Sequence, residues 1–145
     1  MIRPVTGVAA TVMVLPLLVG CGSRGYCDAV KSHQAGLGAI VQGGGPTALL
    51  RALPVFADLQ GKAPDDVADD WQLLVTRITA LRTALYDAHV DPASYDPKHP
   101  PAGMTAEQRG AIRRAAAGIA AADTQQALSD LQQEVLDVCQ TPLEL

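Results

Sequence analysis

Apolar side chains recur along this chain with gaps of three and four, and no segment alternates with a gap of two. That spacing is the mark of helices that bury one face, and strands are not expected. The clearest seam is Val67, Trp71, Leu74, Ile78, Leu81 and Leu85. Its alternating gaps of four and three predict a helix from about Pro64 to His89, packed as in an antiparallel bundle. Asp65, Asp66, Asp69 and Asp70 crowd its early turns, where negative charge suits the helix dipole.

Weaker seams predict the other elements. A first helix spans about Tyr26 to Val41, with Asp28 in its first turn and Val30, His33, Leu37 and Ile40 near one face. Gly36 and Gly38 cost helix stability but permit close approach of a neighbour. Gly43-Gly44-Gly45 ends it, and Gly45 caps a second helix over about Pro46 to Gln60, stopped by Gly61. Pro54 lies inside that stretch and predicts a kink or break. Residues 90–104 contain Asp91-Pro92, Asp96-Pro97 and Pro100-Pro101, so they form a long proline-rich loop. Thr105 and Gln108 then fit a capping box that opens a fourth helix, with Ile112, Ala115, Ala116 and Ile119 on a thin apolar face. Asp123 and Gln126 offer a second box before a fifth helix ending near Cys139, burying Leu128, Leu131, Val135 and Val138. Helices four and five could also be one kinked helix. The expected fold is all-α, a bundle of four or five helices over residues 26–145.

Composition agrees with helix. Apolar residues make up 48% of the chain but aromatics only 3%, so Ala, Leu and Val carry the apolar share. The formal net charge is −4 and no polybasic stripe is present, which argues against nucleic-acid binding.

The first residues depart from the bundle pattern. Arg3 precedes a run of small and apolar residues from Gly7 to Gly20, the layout of an exported protein's leader. The run is shorter than the roughly 20 apolar residues a spanning helix needs. It ends in Leu18-Val19-Gly20-Cys21, which resembles the lipobox of bacterial lipoproteins. The resemblance implies that Cys21 accepts a diacylglyceryl group and that signal peptidase II cuts before it. Residues 1–20 are then a signal peptide, residues 21–25 the lipidated cysteine and a short tether, and the mature chain is held on the outer face of the cell membrane. Together with the two remaining cysteines and the Ala-rich helices, the whole chain resembles small helical lipoproteins of high-GC Gram-positive bacteria. That likeness implies a location and no activity.

With Cys21 acylated, Cys27 and Cys139 remain, in a compartment that oxidises thiols. A disulfide between them would close a loop of about 110 residues, worth about 4 to 5 kcal/mol at most in the chain-entropy model. It also predicts that the first and last helices end side by side. Two buried thiols, or a metal site lacking any CxxC, are the alternatives.

Candidate chemistry is sparse. Gly43 to Thr47 precedes a helix but lacks the lysine and strand of a phosphate loop. The four aspartates before Trp71 lie along a helix start rather than around one point, as calcium requires. His33, His89 and His99 show no ligand spacing, and no serine lies in a nucleophile motif. Trp71 reads as core before it reads as the wall of a ligand pocket. No metal or cofactor is expected. The segment worth attention is Tyr95 to Pro101, where Tyr95, Lys98 and His99 lie among prolines on a loop that could meet a partner. The expected function is a lipid-anchored, non-catalytic binding or interaction module of the cell envelope. Its partners would be the membrane, through Cys21, and another envelope protein. A small-ligand carrier with a pocket inside the bundle is the alternative, and an envelope enzyme the third reading.

Overall fold

The computed structural model describes residues 22–45 and 47–143, in which every regular element is a helix. These are α1 (Gly22–Gly43), α2 (Ala48–Gln60), α3 (Ala68–Asp87), α4 (Ala106–Ile119) and α5 (Ala122–Cys139). Residues 1–20, where a leader is expected, Cys21 with its expected lipid, and Pro46 lie outside the described residues.

Side-chain contacts fix the directions of the helices. His33 of α1 meets Asp58 near the end of α2, and Arg51 near the start of α2 reaches the Ile40 carbonyl, so α1 and α2 are antiparallel. Gln60 meets Gln72 while Leu50 packs with Leu81 and Leu85, which sets α2 antiparallel to α3. Asp123, at the start of α5, pairs with Arg77, and Cys139, at its end, is bonded to Cys27. Thus α1, α2, α3 and α5 form an up-down-up-down bundle. Among the described residues α1 approaches α2 and α5 but not the backbone of α3, its diagonal partner. α4 runs antiparallel to the far half of α3, with Gln108 at the Asp87 carbonyl and Gly118 against Arg77.

The predicted seam of α3 faces the core. Val67, Trp71, Leu74, Ile78 and Leu85 are buried and Leu81 is partly so. Trp71 and Tyr26 meet across the bundle's centre, joined by a 2.8 Å hydrogen bond from indole Nε1 to the phenol oxygen. Phe56 tilts against Trp71 at 5.9 Å between ring centroids. A second, smaller core of Leu85, Met104 and Ile112 seats the proline-rich loop between α3 and α4.

Several boundaries and faces differ from the sequence reading, each for a local reason. α1 begins at Gly22, so Gly22–Gly25 belong to the helix and do not form a flexible tether, and Asp28 lies beyond its first turn. Gly36 faces open space and permits no close approach. α2 starts after Thr47 rather than being capped by Gly45, whose positive φ of 84° belongs to the turn. The helix continues through Pro54, whose exposed ring lies on the solvent side. α3 starts at Ala68, four residues after Pro64, because Pro64 to Val67 form a separate turn closed by Val67 N–H on the Pro64 carbonyl.

The capping box of Thr105 and Gln108 is present, with both reciprocal bonds. The second box is not formed. Ala121 takes the cap position, so Asp123 falls in the first turn of α5, and the Thr124 hydroxyl donates back to the Gly118 carbonyl at 2.8 Å. That bond ties together two separate helices. Val138 is 42% exposed, because Cys139 and Val135 take the inward side of the last turn.

Candidate functional site

The disulfide joins Cys27, early in α1, to Cys139, the last residue of α5, with Cα atoms 5.1 Å apart. The two ends of the described chain therefore lie together. α5 stops there because Gln140 adopts a left-handed conformation, φ 54°.

The proline-rich loop leaves α3 near the opposite end and is pinned by its own aspartates. Asp91 Oδ1 accepts the Ala93 N–H at 2.9 Å, and Asp96 Oδ1 accepts the Lys98 N–H at 2.8 Å. The His99 ring nitrogen Nδ1 lies 2.7 Å from Asp96 Oδ2, and this contact, followed by the Lys98 amide, holds the Asp96 carboxyl below the usual carboxylate range. Each X-Pro step is extended by sterics, so these turns stiffen an already restricted chain.

The loop's three singled-out residues separate. Tyr95 is half-buried on the second core and lines two adjoining dents, of about 200 and 240 Å³, between the loop, α3 and α4. Lys98 and His99 are exposed and line neither. Tyr95, Pro97, Ile112 and Ala116 are common to both dents, which makes them one groove. Arg109 and Arg113, one turn apart on α4, edge the first dent. Sequence reading missed both arginines. Their i, i+4 spacing beside Ile112 and Ala116 was visible, but nothing local says that the loop folds over that face.

The remaining candidates do not assemble into a site. Trp71 is fully buried among core residues and lines none of the dents described here. The dent nearest Phe56, between Ile40, Leu49, Leu74 and Leu128, holds about 80 Å³. A small-molecule pocket is typically roughly 300–1,000 Å³. Asp65 and Asp66 lie in the turn before α3, and Asp69 and Asp70 in its first turn. Among the described residues no three His, Cys, Asp or Glu side chains converge on a metal position. Burial, then the charges of Asp130 and Asp69, raise the Asp70 carboxyl above its ordinary value. His33 lies 2.9 Å from Asp58, which also pairs with Lys62. Lys62 first, then His33, lower the Asp58 carboxyl. His89 is exposed and has positive φ.

The chain matches no family model, no curated protein and no solved structure. No described helix is long and apolar enough to cross a membrane.

Proposed function

We propose that this chain is a lipid-anchored extracytoplasmic protein whose helical domain is a non-catalytic interaction module of the cell envelope. The anchor is the diacylglyceryl group that the lipobox-like Leu18-Val19-Gly20-Cys21 would receive on Cys21. Two acyl chains make such anchoring stable where one would be marginal. The observation that carries the reading is the Cys27–Cys139 disulfide, because paired thiols of this kind persist where the surroundings oxidise them. The interaction role is supported by an open groove floored by apolar residues between the loop, α3 and α4, away from the closed core around Trp71.

Metabolic labelling with a fatty-acid analogue tests the anchor. The native chain incorporates label and fractionates with membranes. Cys21→Ala removes the label and leaves an unprocessed chain or releases it. Equal labelling of the variant, or recovery of the native chain from cytosol with its leader intact, would sink the proposal.

A further inference from the structure

The groove between the proline-rich loop and α4 has an apolar floor and a cationic rim. Tyr95, Pro97, Ile112 and Ala116 make the floor, which Leu81 and Leu85 extend toward α3. Arg109 donates to the Met104 carbonyl, and Arg113 is exposed and makes no hydrogen bond or ion pair among the described residues. Among the described residues neither guanidinium meets a carboxylate. Asp96 is engaged by His99, and Glu107 lines a different dent beside Asp87. Charge is also separated along the molecule. Asp65 and Asp66 in the turn before α3, Asp69 and Asp70 in its first turn, and Glu134 and Asp137 toward the Cys139 end of α5 make the disulfide end acidic, while α4 carries Arg109, Arg113 and Arg114 against Glu107 alone.

We propose that this groove docks an acidic, partly apolar peptide segment of another envelope protein. An aliphatic side chain enters between Tyr95 and Ile112, and flanking carboxylates pair with Arg109 and Arg113. The inference rests on the reading of the chain as an interaction module. Charge complementarity selects the occupant. An arginine fork matches a carboxylate bidentately, and an unpaired one on a groove rim is a strong recruiter of acidic groups. A glycan fits less well, since its hydroxyls need acceptors, and the two dents are lined by no carboxylate or amide. A lipid headgroup fits less well by position. The groove lies toward the far end of α3, a helix about 30 Å long by its rise per residue, from the end where the chain enters α1.

The test is photocrosslinking in the cells that make the full chain. Benzoylphenylalanine is placed at Ala116 in the groove and, separately, at the exposed Gln133 of α5 and the exposed Tyr86 of α3. The expected adduct forms at position 116, on a peptide with Asp or Glu within about three residues of an aliphatic side chain. Arg113→Glu lowers its yield at least tenfold, while Arg82→Glu, an exposed charge outside the groove, leaves it unchanged. Helicity and disulfide content of both variants stay native. An adduct on a glycan or lipid, or one that survives Arg113→Glu, overturns the proposal. Adducts at 133 or 86 alone overturn the groove and leave the interaction module standing. Silence at all three positions counts against both.

Discussion

Tyr26 and Trp71 illustrate how much one pair of side chains can demand. Both are fully buried, and the indole N–H has the phenol oxygen as its acceptor. Burial pushes the Tyr26 phenol up to about 12, outweighing the bond from Trp71 that lowers it, with Glu134 and Asp66 adding to the rise. A folded-state value above the ordinary 10.0 means that the folded protein resists ionisation more than the unfolded chain does. The associated stability is complete below about pH 10 and is lost as pH climbs toward 12, by about 2 kcal/mol. Tyr26→Phe should therefore act twice. Near pH 7 it leaves the indole N–H without an acceptor, at a cost of about 1–3 kcal/mol. Between pH 10 and 12 it should flatten the loss that the native protein shows. Urea midpoints across that range decide the matter, and parallel curves for the two proteins would refute the assignment. The seam placed Trp71 inside from sequence alone, since its neighbours recur at helical spacing. Tyr26 stood only at an expected helix start, and no local pattern could say that residues 45 apart share a hydrogen bond.

Among the elements, the ends decide more than the middles. α3 closes with two bonds, His89 N–H to the Tyr86 carbonyl and Val90 N–H to the Leu85 carbonyl. With Val90 packed in the same small core as Leu85, this is the Schellman arrangement, and it requires the left-handed φ of 54° found at His89. A side chain there costs about 1 kcal/mol or more that glycine avoids, partly offset by glycine's freedom in the unfolded chain. His89→Gly should raise stability by about 0.5–1 kcal/mol in urea unfolding, and a loss of stability would show that the imidazole contributes something unseen. Sequence reading ended the helix near His89, just past its observed end at Asp87, without recognising the motif, because the motif usually announces itself with glycine. The two capping boxes make the complementary point. Thr105 with Gln108 formed as spelled, whereas Asp123 with Gln126 did not, although the pattern is equally good. There the Asp123 carboxylate accepts the adjacent Thr124 N–H and the Arg77 guanidinium, and the second of these contacts is supplied by α3 rather than by the next turn of chain. Local spelling is legible where only local partners compete for it.

For the whole molecule, the consequence of topology is that the disulfide fastens a helix with only two neighbours to the end of one of them. α3 packs against α2, α4 and α5, whereas α1 packs against only α2 and α5 among the described residues. The bridge fastens α1 to the end of α5 and closes a loop with a sequence separation of 112. In the chain-entropy model a loop of this size is worth about 4 to 5 kcal/mol, and removal of native disulfides from small domains typically costs about 2–5 kcal/mol. That a bridge would bring the two ends together was legible from three cysteines and the leader expected before them. That α1 would have only α2 and α5 as neighbours was not, because neighbours follow from long-range packing. Reduction, or Cys27→Ser with Cys139→Ser, should lower stability by about 2–5 kcal/mol while helicity persists in native buffer. Hydrogen exchange should then find α1 amides opening first, with the middle of α3 protected to near the global limit. An unchanged urea midpoint would deny the bridge its stabilising role. Loss of protection in α3 together with α1 would show instead that the five helices open as one unit, and that the bundle tolerates no partly undone form.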